Sequence, residues 1–100
     1  MPEAARETDT VDTGHGCDAT TALDASSVNT TVFVDGKLLS CLEDLTVTHD
    51  ILVGGICVPH TSSISESSES VYCSGALVAR KGDACDGGTI TSGASSVIIG

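Results

Sequence analysis

The sequence predicts an all-β domain of short hairpins, and three observations predict it. Val, Ile and Thr are abundant, Gly and Ser punctuate short apolar runs, and no long stretch carries the 3.6-residue apolar period of a helix. One hairpin phrase occurs twice without a gap, Val32–Asp44 lying over Val71–Asp83 at an offset of 39 residues, with hydrophobic, turn and terminal Asp positions in agreement. The chain ends supply the two halves of a third copy: Ala5–Asp9 matches Ala79–Asp83, and Ser96–Gly100 matches Ser70–Gly75. Three hairpins with pseudo-threefold symmetry follow, one of them completed by the N- and C-termini. Such closure removes the exposed strand edges that invite aggregation.

In chain order the predicted strands are Thr31–Val34, Lys37–Cys41, Ile51–Val53, Val71–Cys73, Leu77–Arg80, Thr89–Ile90 and Val97–Ile99. Asp35-Gly36 is a strong hairpin signal, because a type I′ turn needs positive φ at both central residues. Ser74-Gly75 does the same in the later copy. Asp18–Asn29 accommodates a short helical turn around Thr21–Ala25, and the low-complexity stretch Thr61–Ser70 reads as an exposed, passive connection. Gly54-Gly55 and Gly87-Gly88 are turns, too short to cradle a phosphate.

One hundred residues make a single small domain, 1–100, with a limited core. Its only aromatic side chains are Phe33 and Tyr72, so the core is aliphatic and thin, and a staple is expected. A formal charge of −10 excludes nucleic acid and anionic membrane surfaces as electrostatic partners. The polar N-terminus has no secretory apolar segment, and no run approaches the roughly 20 apolar residues of a spanning helix, so synthesis and folding in a cytosol are expected, with no stable membrane insertion. Five cysteines cannot all pair within one chain. In a reducing compartment their scattered spacing reads as buried hydrophobes or metal ligands.

The metal reading comes from the repeat. His15, His49 and Cys85 lie six, five and two residues after the repeated Asp9, Asp44 and Asp83, so three loops that converge in a pseudo-threefold domain each carry a donor. His60 enters from the connection after Ile51–Val53. Three imidazoles and one thiolate make a closed tetrahedral zinc site, whose binding free energy becomes folding free energy. Cys17, two residues from His15, and Cys57, three before His60, remain alternative ligands, whereas Cys41 and Cys73 fall on repeat strands and belong to the core. A catalytic site is not expected: Glu43 and Asp44 have nothing to place them as a base beside a metal, and Cys85 has no oxyanion feature as a nucleophile.

The opening Pro2–Asp9, the hairpin Val32–Lys37, Leu77–Asp83, Gly87–Ile90 and the closing Ser96–Gly100 together resemble the PAAR-repeat proteins, and the resemblance spans essentially the whole chain. It implies a small conical β domain that caps and sharpens the trimeric β-helical spike of a contractile injection machine: a VgrG-type spike of type VI secretion or a phage tail spike. It implies one structural zinc near the vertex, carried onto His15, His49, His60 and Cys85, with iron the less favoured ion because the thiolate prefers zinc. The implied role is non-enzymatic membrane piercing, and the implied location is a virion tail tip, or secretion by the type VI apparatus after cytoplasmic assembly. Departures are the Glu3 inserted into the first motif and the middle copy, where Leu39–Asp44 lacks both the Ala-Arg pair and the Gly. With Met1 at one end and Gly100 at the other, a bare tip without a fused effector is expected. The competing expectation is a free-standing zinc-binding or adhesin-like β module.

Overall fold

Four dipeptides with positive φ fold the chain back on itself. Asp35-Gly36, Gly54-Gly55, Ser74-Gly75 and Asp86-Gly87 all lie between +53° and +82°, the torsions of type I′ hairpin turns. A computed structural model describes residues 2–100, and all of its regular elements are β. They are β1 (Glu3–Ala4), β2 (Thr10–Asp12), β3 (Thr20–Ala22), β4 (Phe33–Val34), β5 (Lys37–Leu38), β6 (His49–Val53), β7 (Ile56–His60), β8 (Tyr72–Cys73), β9 (Ala76–Leu77), β10 (Ala84–Cys85), β11 (Gly88–Ile90) and β12 (Ala94–Ile98). The hairpins β4–β5, β6–β7 and β8–β9 stand as separate antiparallel pairs, β1 pairs with β12, and one four-stranded sheet has the order β10-β11-β2-β3. The two chain ends therefore do complete a strand pair, with Glu3 opposite Ile98.

The strands of the two repeated hairpins, β4–β5 and β8–β9, are shorter than the sequence suggests, for a definite reason, whereas β6, β11 and β12 run longer. Past Leu38 and Leu77 the backbone leaves its own hairpin to bridge another copy: Arg6 pairs with Leu39, Cys41 with Val78, and Ala4 with Arg80. At the centre these crossings close a ring. Ala5 N–H donates to Ala79 O (3.0 Å), Ala79 N–H to Ser40 O (3.0 Å), and Ser40 N–H to Ala5 O (2.9 Å).

Each crossing ends in the same turn. Asp9, Asp44 and Asp83 accept the backbone N–H of Arg6, Cys41 and Arg80 at 2.7, 2.7 and 2.8 Å. Their own N–H groups donate back to the carbonyls of those residues. The residue before each Asp has positive φ: Thr8 at 70°, Glu43 at 73° and Gly82 at 94°. Its N–H reaches the carbonyl of Leu23, Ile64 or Ile90 respectively. Those three side chains, all 0–1% exposed, form one core with Ala5, Val11, Ala79 and Cys85. A second cluster gathers Ala4, Leu39, Cys41, Cys73, Val78 and Ile99. The core is aliphatic, with Phe33 and Tyr72 left on the surface. Full burial of each Leu or Ile contributes about 1.5–3 kcal/mol.

Three expectations are corrected. The suggested helical turn at Thr21–Ala25 is strand β3, whose Thr21 faces Val11 of β2 and which leads Leu23 into the core. Thr61–Ser70 is no passive loop: Ile64 is a central core side chain, and buried Ser68 accepts the N–H groups of Ser70 and Val71 through Oγ. Cys17 and Cys57 are neither buried thiols nor ligands but a disulfide across a separation of 40 residues. The bridge between Cys17 and Ile51 brings the two segments together. Cys41 and Cys73 are buried and free, as expected of core residues. The molecule is elongated, with extents of 40 × 24 × 22 Å.

Candidate metal centre

His49 opens β6 and His60 closes β7, and the hairpin register places them directly opposite each other. His15 lies between β2 and β3, on a loop whose Gly14 N–H donates to Asp86 O at 2.9 Å. Asp86 occupies the first central position of the I′ turn joining β10 to β11. The two loops cross without room for side chains. A Cβ on Gly14 would overlap the Gly87 carbonyl, and one on Gly88 would overlap the Asp12 carbonyl. Glycine at these positions is what lets the Asp86 turn reach the histidine loop.

The four side chains converge. Asp86 Oδ2 lies 2.8 Å from His15 Nε2 and 2.6 Å from His49 Nε2, while Oδ1 lies 2.8 Å from His60 Nε2. His15 and His49 Nε2 are 3.2 Å apart, close to the roughly 3.3 Å between two nitrogens sharing a tetrahedral zinc. The His15 and His49 rings are parallel and His60 stands nearly perpendicular to both. The Asp86 and His49 side chains are 5% and 4% exposed, and His60 is the most open at 25%.

The opposite ring nitrogens explain what this arrangement can do. His15 Nδ1 lies 3.0 Å from Gly16 O, and His49 Nδ1 lies 2.9 Å from Val47 O. A carbonyl only accepts, so each Nδ1 carries the proton. In the neutral rings both Nε2 atoms then direct lone pairs at the Asp86 carboxylate. Lone pairs and a carboxylate oxygen at 2.6–2.8 Å need a positive charge between them, supplied either by protons or by a cation. Backbone carbonyls fixing the far nitrogen are also the usual support of metal-binding histidines. His15, His49, His60 and Asp86 thus form a group that can hold a metal ion.

Protonation follows the same geometry. The hydrogen bond to the Gly16 carbonyl, opposed by burial and reinforced by Asp86, raises the His15 pKa above the ordinary histidine value. Burial raises the Asp86 carboxyl, but hydrogen bonds from His60, His15 and His49 outweigh it and hold it below the usual carboxylate range.

Of the four ligands expected from the sequence, the structure brings His15, His49 and His60 together and leaves Cys85 apart. The Cys85 side chain is fully buried in the aliphatic core, its backbone bridging Ile64, and burial followed by the charge of Asp86 pushes its thiol up to about 11. The turn repeat explains its position. Val11, Thr46 and Cys85 each stand two residues after a turn Asp, and all three point inward at 0–1% exposure. The carboxylate that joins the histidines belongs to the next residue, Asp86, which sequence reasoning missed. The signal was present: Asp86-Gly87 is the same turn dipeptide as Asp35-Gly36, and it separates a core residue from a projecting carboxylate.

No known family model matches the chain, and no curated protein matches it either.

Proposed function

We propose that the chain is a non-enzymatic, metal-stapled spike tip of the PAAR type: a pseudo-threefold cone that caps and sharpens a trimeric β-helical spike and helps it pierce an envelope. The observation that carries this reading is the central ring through Ala5, Ala79 and Ser40, with three equivalent Asp turns hung from it on one chain. Three repeated units in one polypeptide match a true trimer, and the paired chain ends tie both termini into the fold. Phe33, Tyr72 and Ile98 occupy matching positions of the three hairpins and are all exposed, at 57, 64 and 49%. In a threefold arrangement they form an apolar triangle at one end, suited to the apolar end of a trimeric spike. An exposed aromatic or aliphatic set of this kind is the usual anchor of an interface.

The metal centre serves as the staple. Zinc fits the three imidazoles and the carboxylate, and four protein donors leave it closed, as structural sites are. The ion would hold together the β2–β3 loop, the β6–β7 hairpin and the β10–β11 turn, where the core ends. A carboxylate in place of a thiolate weakens the preference for zinc over iron that a cysteine would impose.

The test is binding of the purified chain to a purified trimeric β-helical spike of a contractile machine, followed by light scattering. The expected complex holds one chain per trimer, and Phe33→Asp, Tyr72→Asp or Ile98→Asp each weakens it. A folded, metal-loaded monomer indifferent to the spike would instead support the free-standing zinc-binding or adhesin-like module.

A further inference from the structure

We infer that the Cys17–Cys57 disulfide is a redox-controlled positioning element of the metal centre, so that oxidation of these two thiols sets the affinity for the ion. The inference rests on the metal reading above and adds a switch to it. Cys17 lies two residues beyond His15, and Cys57 three residues before His60, so the bond joins the segments carrying two of the four donors. The hairpin is anchored at its base, where Thr46 N–H donates to Ser62 O and Val47 N–H to Ala22 O, but little holds its outer part. Beyond His49, no residue of β6 or β7 is buried, and the hairpin belongs to neither core cluster. Its ties to the His15 loop are few: Leu52 N–H to Gly16 O, Asp18 N–H to Asp50 O, and Asp50 N–H to Asp18 Oδ2. An isolated two-stranded hairpin is marginally stable in water. His60, at the end of β7 opposite His49, is the most exposed donor, and its place depends on how the hairpin sits.

The chemistry needs a disulfide oxidant, such as oxidised glutathione. One cysteine thiolate attacks the oxidant's S–S bond, forming a mixed disulfide and releasing one thiol. The second thiolate attacks the cysteine sulfur of that mixed bond, forming Cys17–Cys57 and releasing the second thiol. Two electrons pass from the cysteines to the oxidant, and the two cysteine protons end on the departing thiols. In the reduced chain the His15 loop and the hairpin separate more easily, and the donors must be ordered by the ion itself. Loss of a comparable outer support costs metal sites about 10–100-fold in affinity.

The experiment measures zinc affinity of the full chain by competition with a chromophoric chelator, for the oxidised protein, the reduced protein and the double variant C17S/C57S. The expected result is one zinc bound in each, about 10–100-fold weaker in the reduced protein and the double variant. Linkage gives a second readout on the unaltered chain alone, should the double variant fail to fold. Zinc must shift the thiol–disulfide equilibrium in a glutathione buffer towards the disulfide by the same factor. Equal affinity in both redox states overturns the coupling and leaves the metal centre standing. Tighter binding by the reduced protein but not by C17S/C57S also overturns it, by making the thiolates ligands. No zinc in either state overturns the metal reading and the coupling with it.

Discussion

Replacing the three turn carboxylates by amides, Asp9→Asn, Asp44→Asn and Asp83→Asn, tests whether three equivalent turns carry unequal burdens. In the first and third, the carboxylate is fully engaged. Asp9 accepts Arg6 N, Nε and Nη2 at 2.7, 3.1 and 3.1 Å. Asp83 accepts the same atoms of Arg80 at 2.8, 3.1 and 2.9 Å. An amide keeps one acceptor but turns an NH2 towards the guanidinium, donor against donor. With hydrogen bonds to charged groups contributing about 1.5–3 kcal/mol, each substitution is expected to cost about 2 kcal/mol. That lowers the melting temperature by about 8–16 °C for a domain of this size. In the middle copy Cys41 stands where the arginines stand. Asp44 Oδ2 accepts Cys41 N–H at 2.7 Å, but Oδ1 is buried with no hydrogen-bond partner among the described residues. Asp44→Asn removes a buried charge and keeps the acceptor for Cys41 N–H, at the cost of a buried NH2 without an acceptor, so it is expected to cost clearly less than the other two. Thermal unfolding at pH 7 of the three variants, with redox state and metal held fixed, decides the matter. A loss at Asp44→Asn equal to that at Asp9→Asn would refute the reasoning.

Ile64→Ala, which empties a fully buried core position in the supposed loop, is expected to cost about 2–5 kcal/mol in urea unfolding, where a surface residue would cost almost nothing. Cys41 and Cys85, with thiols pushed up to about 12 and about 11 chiefly by burial, are expected to resist iodoacetamide at pH 8 until the chain unfolds, as mass spectrometry would show. The His15 pKa is raised, so in the metal-free chain its imidazolium stabilises the fold below the ordinary histidine range, and that contribution is lost as pH rises through the raised value. Metal binding runs the other way because it requires unprotonated rings. The extra melting temperature given by zinc should therefore grow with pH and vanish by about pH 5; a zinc effect undiminished at that pH would contradict imidazole ligation.

Local signals were legible wherever turn chemistry is strict. Asp35-Gly36 and Ser74-Gly75 turn where the sequence says, because positive φ at two successive residues leaves few alternatives. The pairing of β1 with β12 was visible as complementary halves of one phrase at the two ends. Strand lengths were not, because Leu39, Cys41 and Val78 bridge other copies, and no single segment reports that crossing. His15 and His49 emerged from their place after the repeated turns, and His60 from the family resemblance. The repeat and the resemblance point to Cys85 as the fourth donor, whereas its offset from Asp83 puts it in register with Val11 and Thr46, inside the core. The disulfide was hidden by an odd cysteine count and by a contact between segments 40 residues apart.

The most direct test of the metal staple is the zinc content of the purified untagged chain, measured by mass spectrometry beside Asp86→Ala and Cys85→Ala. The geometry predicts one ion per chain, retained in Cys85→Ala and lost or strongly weakened in Asp86→Ala. Zinc lost from Cys85→Ala but kept by Asp86→Ala would contradict this site, and an unaltered chain with no metal would remove the staple altogether.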